Sequence, residues 1–313
     1  MLVVTGGTGF IGRALVRRLS ESGRRIRLLL KPSPESPALE RGIAVEAAVA
    51  SLTDRRGVRA ALVGARTVIH LAGGETSGRP AALAEADVVG TRTLAETAAD
   101  AGVEQILFVS HLGADRASAY PVLRAKALAE EYLRDSGVPC AIVRTGPVFG
   151  PGDHFTRRIA MLAALFPGFF FLPGDGDSLV HPLYLDDLLT ILIWLVEEPG
   201  DETRRFEIGG PEYLPFREAV SLVMKATGLR RTFVGARQPY LRAVASLLTR
   251  VSRYAPVTPF WLDYLASHRT AAIDSLARGF GLQPVRMESH LQHLAGEHWA
   301  RAWMAAQRKA VRR

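Results

Sequence analysis

Cysteine is almost missing from this chain. Cys140 is the only one, so no internal disulfide can form, and its place in an apolar run predicts a buried, inert thiol in a protein of cytoplasmic type. Lysine is nearly as scarce. Lys31, Lys126, Lys225 and Lys309 are the only four among 39 basic residues, so a lysine standing at a functional position draws notice. Long hydrophobic runs are absent too: the largely apolar stretch Leu188 to Val196, set between Asp186-Asp187 and Glu197-Glu198, falls well short of the roughly 20 residues a bilayer span needs. It reads as a buried helix. Ile159 to Pro173 is longer but is broken by Pro167 and Gly168, and reads as core, with an apolar pocket or a docking face as alternatives.

No secretory pattern opens the sequence, because Leu2 leads within a few residues into a glycine loop, so residue 1 reads as already inside the domain. There is no low-complexity tract and no repeat period, and with 48% hydrophobic against 22% charged residues the chain is globular, neither disordered nor a solenoid. No GxSxG elbow is present, which argues against a serine hydrolase. The net charge of +8 comes without any nucleic-acid recognition motif, so it reads as a solvated basic surface and nucleic acid is not expected as a partner. His290, His293, Glu297 and His298 lie close together but match no ligand spacing; they read as a solvated face, and no metal is expected.

What is present is alternation. Short apolar runs at Leu2 to Thr5, Ile26 to Leu30, Ile43 to Val45, Thr67 to Ala72, Gln105 to Ser110 and Cys140 to Arg144 read as strands, separated by amphipathic stretches near 10–22, 52–62, 81–101 and 122–136 that read as helices. Strands too apolar to have a wet face predict an α/β fold, a doubly wound parallel sheet of Rossmann type covered by helices on both sides. After Arg144 the pattern loosens, and at 206–228 a strand-turn-helix pattern returns. The expected organisation is a nucleotide-binding domain over 1–150 that recruits a late strand and helix from 181–228. A smaller, discontinuous lobe would comprise 151–180 and 229–300, followed by a basic tail at 301–313.

The first strand runs into Thr5-Gly6-Gly7-Thr8-Gly9-Phe10-Ile11-Gly12. Glycines at this spacing permit a tight turn and let the backbone approach a pyrophosphate, whose charge meets the free N–H groups of the helix that follows. Gly6, Thr8, Gly9, Phe10, Ile11 and Gly12 are the expected contacts of a bound NAD or NADP. The end of the second strand selects between them. An acid there would bind the ribose hydroxyls of NAD, but the run is Leu30-Lys31-Pro32-Ser33 with no acid before Glu35, so Lys31, with Ser33 or Arg13 in support, favours the 2′-phosphate of NADP.

These motifs resemble the extended or atypical short-chain dehydrogenases/reductases, the NAD-dependent epimerase/dehydratase type. The resemblance implies that Ser51 and Leu52 flank the adenine, although a helix-capping box explains Ser51-Leu52-Thr53-Asp54 equally well. It implies that Leu71, Ala72 and Gly73 form the turn beside the cofactor. Asp87-Val88-Val89-Gly90-Thr91 is similar to a family helix that usually carries Asn in place of Asp87. In Arg144 to Asp153, Pro147 and Val148 would pack on the nicotinamide, and His181 to Asp187 and Phe206 to Pro211 resemble later signatures. Phe108 to Ala114, Arg124 to Ala127 with Glu130, and the Pro-rich aromatic stretch 255–264 are similar to the nucleotide-binding accessory subunits of respiratory complex I and their bacterial relatives. That narrower likeness implies a dinucleotide held without obvious turnover and a respiratory-complex or other protein partner.

The wider family implies a catalytic Tyr, a Lys four residues later, and a Ser. Ser110 and Lys126 stand as candidates for two of these. The Tyr place is Val122, and Tyr120 lies about 600° of helical rotation from Lys126, with Pro121 marking a helix start after it. Tyr120 is therefore a doubtful proton donor, and Tyr184 or His111 are substitutes. A slow NADP-dependent reductase or epimerase acting on an apolar or sugar-nucleotide substrate, and an NADP-sensing regulator, are the alternative functions. Finally, Leu241, Val244, Ala245, Leu248 and Val251 share one side of a helix opposite Arg242, Ser246, Thr249, Arg250 and Arg253. Such a basic amphipathic helix can lie peripherally on an anionic membrane surface, at the inner face, with Arg308, Lys309, Arg312 and Arg313 assisting.

Overall fold

The computed structural model describes residues 1–33, 42–251 and 255–304. Glu35, Arg253, Arg308, Lys309, Arg312 and Arg313 lie outside the described residues. Two compact units form. The first comprises Met1–Glu75, Pro80–Thr145 and Leu188–Glu207, and the second Thr76–Arg79, Gly146–Asp187 and Ile208 onward.

A seven-stranded sheet forms the first unit. Its strands are β1 (Leu2–Thr5), β2 (Ile26–Leu30), β3 (Glu46–Val49), β4 (Thr67–His70), β5 (Gln105–His111), β6 (Cys140–Thr145) and a later one, Arg204–Ile208, in the order late strand, β6, β5, β4, β1, β2, β3. The pairings β3 to β2, β2 to β1, β1 to β4, β4 to β5 and β5 to β6 are parallel. All four residues of β1 and of β4 are buried, as the absence of a polar face in Leu-Val-Val-Thr and Thr-Val-Ile-His requires. The helices are α1 (Phe10–Glu21), α2 (Arg55–Leu62), α3 (Pro80–Leu83), α4 (Thr91–Asp100) and α5 (Pro121–Asp135). Val58 and Leu62 of α2, Leu94 and Ala98 of α4, and Ala129 and Leu133 of α5 pack with Val3, Val68, Ile106 and Ile142 in one core. From β1 the chain steps to β2 and β3 on one side and to β4, β5 and β6 on the other, so the switch point falls between the carboxyl ends of β1 and β4.

Three expectations are corrected here. The third strand is Glu46–Val49, not Ile43 to Val45. The helix expected at 52–62 begins at Arg55, because Asp54 is its cap and accepts from Arg56 N at 3.1 Å. The single helix expected at 81–101 is three segments, with a π-helical stretch at Ala84–Gly90 between α3 and α4.

In the second unit β7 (Val148–Phe149), α6 (Phe155–Leu165), β8 (Phe169–Pro173), β9 (Leu179–Val180) and β10 (Leu183–Tyr184) come first. Helix α7 (Leu185–Glu197) returns to the sheet unit, where Gln105 Nε2 donates to Leu195 O at 3.1 Å. The strand Arg204–Ile208 is β11. After it follow β12 (Leu214–Pro215), α8 (Phe216–Thr227), β13 (Thr232–Ala236), α9 (Gln238–Val251), α10 (Pro259–Tyr264) and α11 (Ser275–Phe280). The sheet unit closes at Thr145 and takes back only 188–207, so α8, expected with the sheet, belongs to the second unit. There its Phe216, Ala219, Val220 and Val223 share a core with Phe155, Ile159 and Ala163 of α6. Among the described residues no helix is long and apolar enough to cross a membrane.

Candidate functional site

The glycine loop links β1 to α1 at the switch point. Gly6 adopts a φ of 70°, open to glycine at little cost, and a Cβ there would come within 2.6 Å of Ala72 N and the Leu71 carbonyl carbon. The two loops of the site are thus packed backbone to backbone. A Cβ at Gly12 would stand 2.2 Å from Gly6 O, so only glycine lets the first turn of α1 fold against the loop. Gly9 caps α1 in extended conformation without a side-chain bond, and no acid lies in the first helical turn. The first N–H groups of a helix have no partner within it; here they meet a rim formed by half-buried Thr8, Phe10 and Ile11 and exposed Gly9. Arg13 reaches back to Thr8 O at 3.3 Å. Such a rim fits an anionic diphosphate.

Lys31 follows β2 and pairs with Glu85 of the π-helical stretch at 3.0 Å, with 73% of its side chain exposed. An exposed pair of this kind is worth about 0–1 kcal/mol, so Lys31 is not committed to it. Ser51 does not cap α2; its hydroxyl bonds Thr53 Oγ1 at 2.8 Å within its own turn. Leu52 packs beside it, and a Cβ on Gly90 would lie 2.9 Å from the Leu52 Cβ.

The other end of the site is built from charged groups in the interior. On α5, Val122, Lys126 and Glu130 fall one turn apart on one face and all three are buried. The place one turn before Lys126 holds a hydrocarbon. Lys126 Nζ lies 2.9 Å from Asp87 Oδ1, in a pair with side-chain exposures of 7% and 0%. Burial works against the Lys126 charge, but Asp87, Glu75 and Glu130 outweigh it and hold the pKa above its ordinary value. Asp87 also accepts from Gly74 N at 2.7 Å, so the turn after β4 rests on the same carboxylate. Gly73 is exposed directly above: a Cβ there would be 3.2 Å from Asp87 Oδ1 and 3.5 Å from Lys126 Nζ.

Ser110 donates to Glu130 Oε1 at 2.6 Å. Arg144 forks onto the same carboxylate at 2.9 and 2.6 Å and reaches Glu207 at 3.1 Å. The Ser110 hydroxyl and the Lys126 ammonium therefore answer to different carboxylates. Beside Ser110, His111 Nε2 and Glu75 Oε2 are 2.5 Å apart in a half-buried pair. Tyr120 caps α5 from an extended conformation, just before Pro121.

His70, which the sequence patterns did not single out, lies wholly buried at the end of β4. Its Nδ1 meets Thr5 Oγ1 at 2.6 Å and its Nε2 meets Thr91 Oγ1 at 2.9 Å. Thr5 Oγ1 in turn accepts from Ala72 N at 3.3 Å. Burial, helped by the Lys126 charge, depresses the His70 pKa to about 3. A neutral imidazole thus ties the root of the glycine loop to the start of α4. The available signal was a histidine inside an otherwise apolar strand, with threonines at the positions it reaches. Asp87 and Glu130 stood in recognised motifs, but their pairing partners could not be read from spacing.

Pro147, Val148 and Tyr184 belong to the second unit. There a Cβ on Gly146 would meet His181 O at 2.2 Å, and Tyr184 packs its ring on Phe149 and His290. His181 accepts from Ala271 N at 3.1 Å on Nδ1, so Nε2 carries the proton donated to Gly210 O at 2.7 Å. Of the group read as a solvated face, Glu297 and His298 are exposed, whereas His290 and His293 occupy two short 3-10 turns, and His293 is largely buried, 3.6 Å from Asp153.

A parallel sheet with a glycine-rich turn at its switch point defines a dinucleotide-binding α/β protein. The sequence pattern of the NAD dependent epimerase/dehydratase family matches residues 2–209, and the chain belongs to that family. It is 26% identical over 249 residues to the mitochondrial NADH dehydrogenase (ubiquinone) 1 alpha subcomplex subunit 9 of Arabidopsis thaliana, covering 78% of this chain and 62% of that protein's length. It is 39% identical over 287 residues to sterol demethylase protein B of Methylococcus capsulatus, covering 76% of this chain and 84% of that protein. The structure of MoeE5 in complex with UDP-glucose and NAD superposes with a TM-score of 0.71 at 20% identity over 97% of this chain and 99% of that one.

Proposed function

We propose that this chain holds a nicotinamide dinucleotide, NADP(H) in preference to NAD(H), as a structural or sensing ligand in the manner of a complex I accessory subunit, bound to a protein partner. The observation that carries the reading is the α5 face: Val122 stands where a proton-donating tyrosine would, and Lys126 is consumed by the buried Asp87. General acid catalysis needs a donor within hydrogen-bond reach of the reacting oxygen; Val122 has none, and the Lys126 ammonium is held by Asp87. The uncommitted Lys31 at the end of β2 supports NADP(H). The likeness to the plant mitochondrial subunit supports the partner. Gly6, Thr8, Gly9, Phe10, Ile11 and Gly12 would cradle the diphosphate, with Ser51 and Leu52 at the adenine and Leu71, Ala72 and Gly73 towards the nicotinamide. The test is titration of the purified protein with NADPH and NADH by fluorescence: tighter NADPH binding is expected, while equal or absent binding of both removes the reading.

A second reading, a slow NADP-dependent reductase on an apolar carbonyl compound, is favoured by one observation. The His111–Glu75 pair stands half-buried next to Ser110, where the imidazole would hydrogen-bond and orient a carbonyl oxygen, and a bound dinucleotide would supply the reducing hydride. Oxidation of NADPH by an added long-chain ketone, lost in His111→Asn with NADPH binding intact, would establish it. Oxidation unchanged in that variant would end it.

A further inference from the structure

The second unit carries an apolar surface that its own core leaves uncovered. Among the described side chains of helix α9, Ala245 is fully buried and Leu241 partly so. Tyr240, Val244, Leu247 and Leu248 are 68%, 55%, 62% and 36% exposed. At about 100° per residue, Tyr240, Val244 and Leu247 fall within about 60° of one another, so they form a stripe turned to solvent. Leu247 was absent from the sequence stripe because the inward face is set by Leu241 and Ala245, one step round. A second apolar surface precedes the helix. On the ribbon formed by β8 and β13, Phe170 points inward while Phe169 and Phe171 stand 53% and 46% exposed, and the ring of Phe171 contacts that of Phe166, itself 47% exposed. Strand β13 passes through Arg237 straight into α9.

Charge says what could cover these surfaces. From His154 to Gly174, and again from Ala219 to Leu262, there is no Asp or Glu. Arg157, Arg158, Lys225, Arg230, Arg231, Arg237, Arg242, Arg250 and Arg253 lie in those stretches. Some are occupied: Arg242 pairs with Asp263, Lys225 with Glu288, and Arg231 donates to Ala163 O. Arg230, Arg237 and Arg250 are exposed, and Arg250 sits about 60° round the helix from Leu247. The exposed aromatic and aliphatic residues are interleaved with arginine along stretches of sequence that hold no acid, Asp175 beside Gly235 standing at the end of the ribbon, and match what an interfacial helix offers to acyl chains and anionic headgroups together. Stacking on nucleic-acid bases would call on the rings of Tyr240, Phe169 and Phe171 and leave the aliphatic Val244, Leu247 and Leu248 without a partner, whereas acyl chains cover both kinds of side chain.

We propose that α9 and the β8–β13 ribbon dock this protein on an anionic lipid bilayer, the stripe Tyr240, Val244 and Leu247 with Phe169 and Phe171 entering the interface and Arg230, Arg237 and Arg250 facing the headgroups. This is independent of the nucleotide reading, since none of these residues belongs to the dinucleotide site. The test is co-sedimentation of the full chain with vesicles of phosphatidylcholine alone or mixed with phosphatidylglycerol. Binding to the mixed vesicles, weakened by salt, is expected. A fall of about tenfold or more is expected both in Val244→Glu/Leu247→Glu and in Arg237→Gln/Arg250→Gln, the second only with the mixed vesicles at low salt. Both variants should keep the parent's circular dichroism and denaturant midpoint, which shows that they are folded. No sedimentation, equal sedimentation with both vesicle types, or indifference to the Glu pair overturns the proposal. So does a concentration-dependent dimer, or binding of a single-stranded oligonucleotide, that disappears in the Glu pair.

Discussion

The two ends of the site in the sheet unit have been treated differently. At the glycine-loop end stand glycines whose absent Cβ atoms let two loops touch, a helix start without a side-chain cap, and an exposed lysine after β2. At the nicotinamide end the groups that family chemistry would use are present in part but engaged elsewhere, Lys126 with Asp87 and Ser110 with Glu130. On the reading proposed above, binding and turnover are separable in this fold. The glycine-loop end is set by backbone approach at Gly6 and Gly12, whereas the other end depends on a few side-chain identities, here tied into a buried ionic network.

If that contrast holds, the largest effect comes from Lys126. Lys126→Met leaves the Asp87 carboxylate buried without its cation, which costs on the order of 3–5 kcal/mol; Lys126→Met/Asp87→Leu should recover much of it in denaturant unfolding. A catalytic lysine with no structural load would show little loss of stability. Acid comes next. His70 stays neutral in the fold down to about 3 but would take up a proton near its usual 6.5 in the unfolded chain. Between those values the unfolded state binds more protons, so His70 makes stability fall as pH drops, by about 1.4 kcal/mol per unit. His70→Gln should flatten that slope in midpoints measured across the window, and an unchanged slope would show that His70 is not its source.

Gly12→Ala sharpens the contrast from the other side. Its Cβ would meet the Gly6 carbonyl, an overpacking that costs about 1–3 kcal/mol, and NADPH affinity should fall at least as far; wild-type affinity would mean that the loop is not the site. The smallest effect is expected at Lys31. Lys31→Glu should weaken NADPH about tenfold, roughly 1.4 kcal/mol, and leave NADH nearly unchanged, whereas equal losses would take the 2′-phosphate away from Lys31.

How far the sequence spoke follows the same division. The strands of the sheet centre and the glycine loop were legible because burial on both faces leaves continuous apolar runs, and because tight backbone approach admits only glycine. β3 was not, since in Glu-Ala-Ala-Val at the sheet edge three of the four residues, Glu46, Ala47 and Ala48, are of types depleted in strands. The π-helical stretch was invisible because Ala84 to Gly90 fits an ordinary helical pattern; only the structure shows the widened turn that carries Asp87 inward. Lys126 was conspicuous by its rarity, but its partner depends on which side chains meet across α5 and the π-helical stretch. The outward stripe of α9 was half legible: periodicity gives a stripe, while the packing of Leu241 and Ala245 decides which edge turns in.

Hydride loss tests the separation of binding from turnover most directly. Protein saturated with NADPH is incubated for hours with a panel of ketones, from short-chain to sterol-like, and the reduced nicotinamide is followed by its absorbance. The account predicts tight binding with oxidation no faster than in the protein-free control; steady oxidation at many turnovers per site would contradict it.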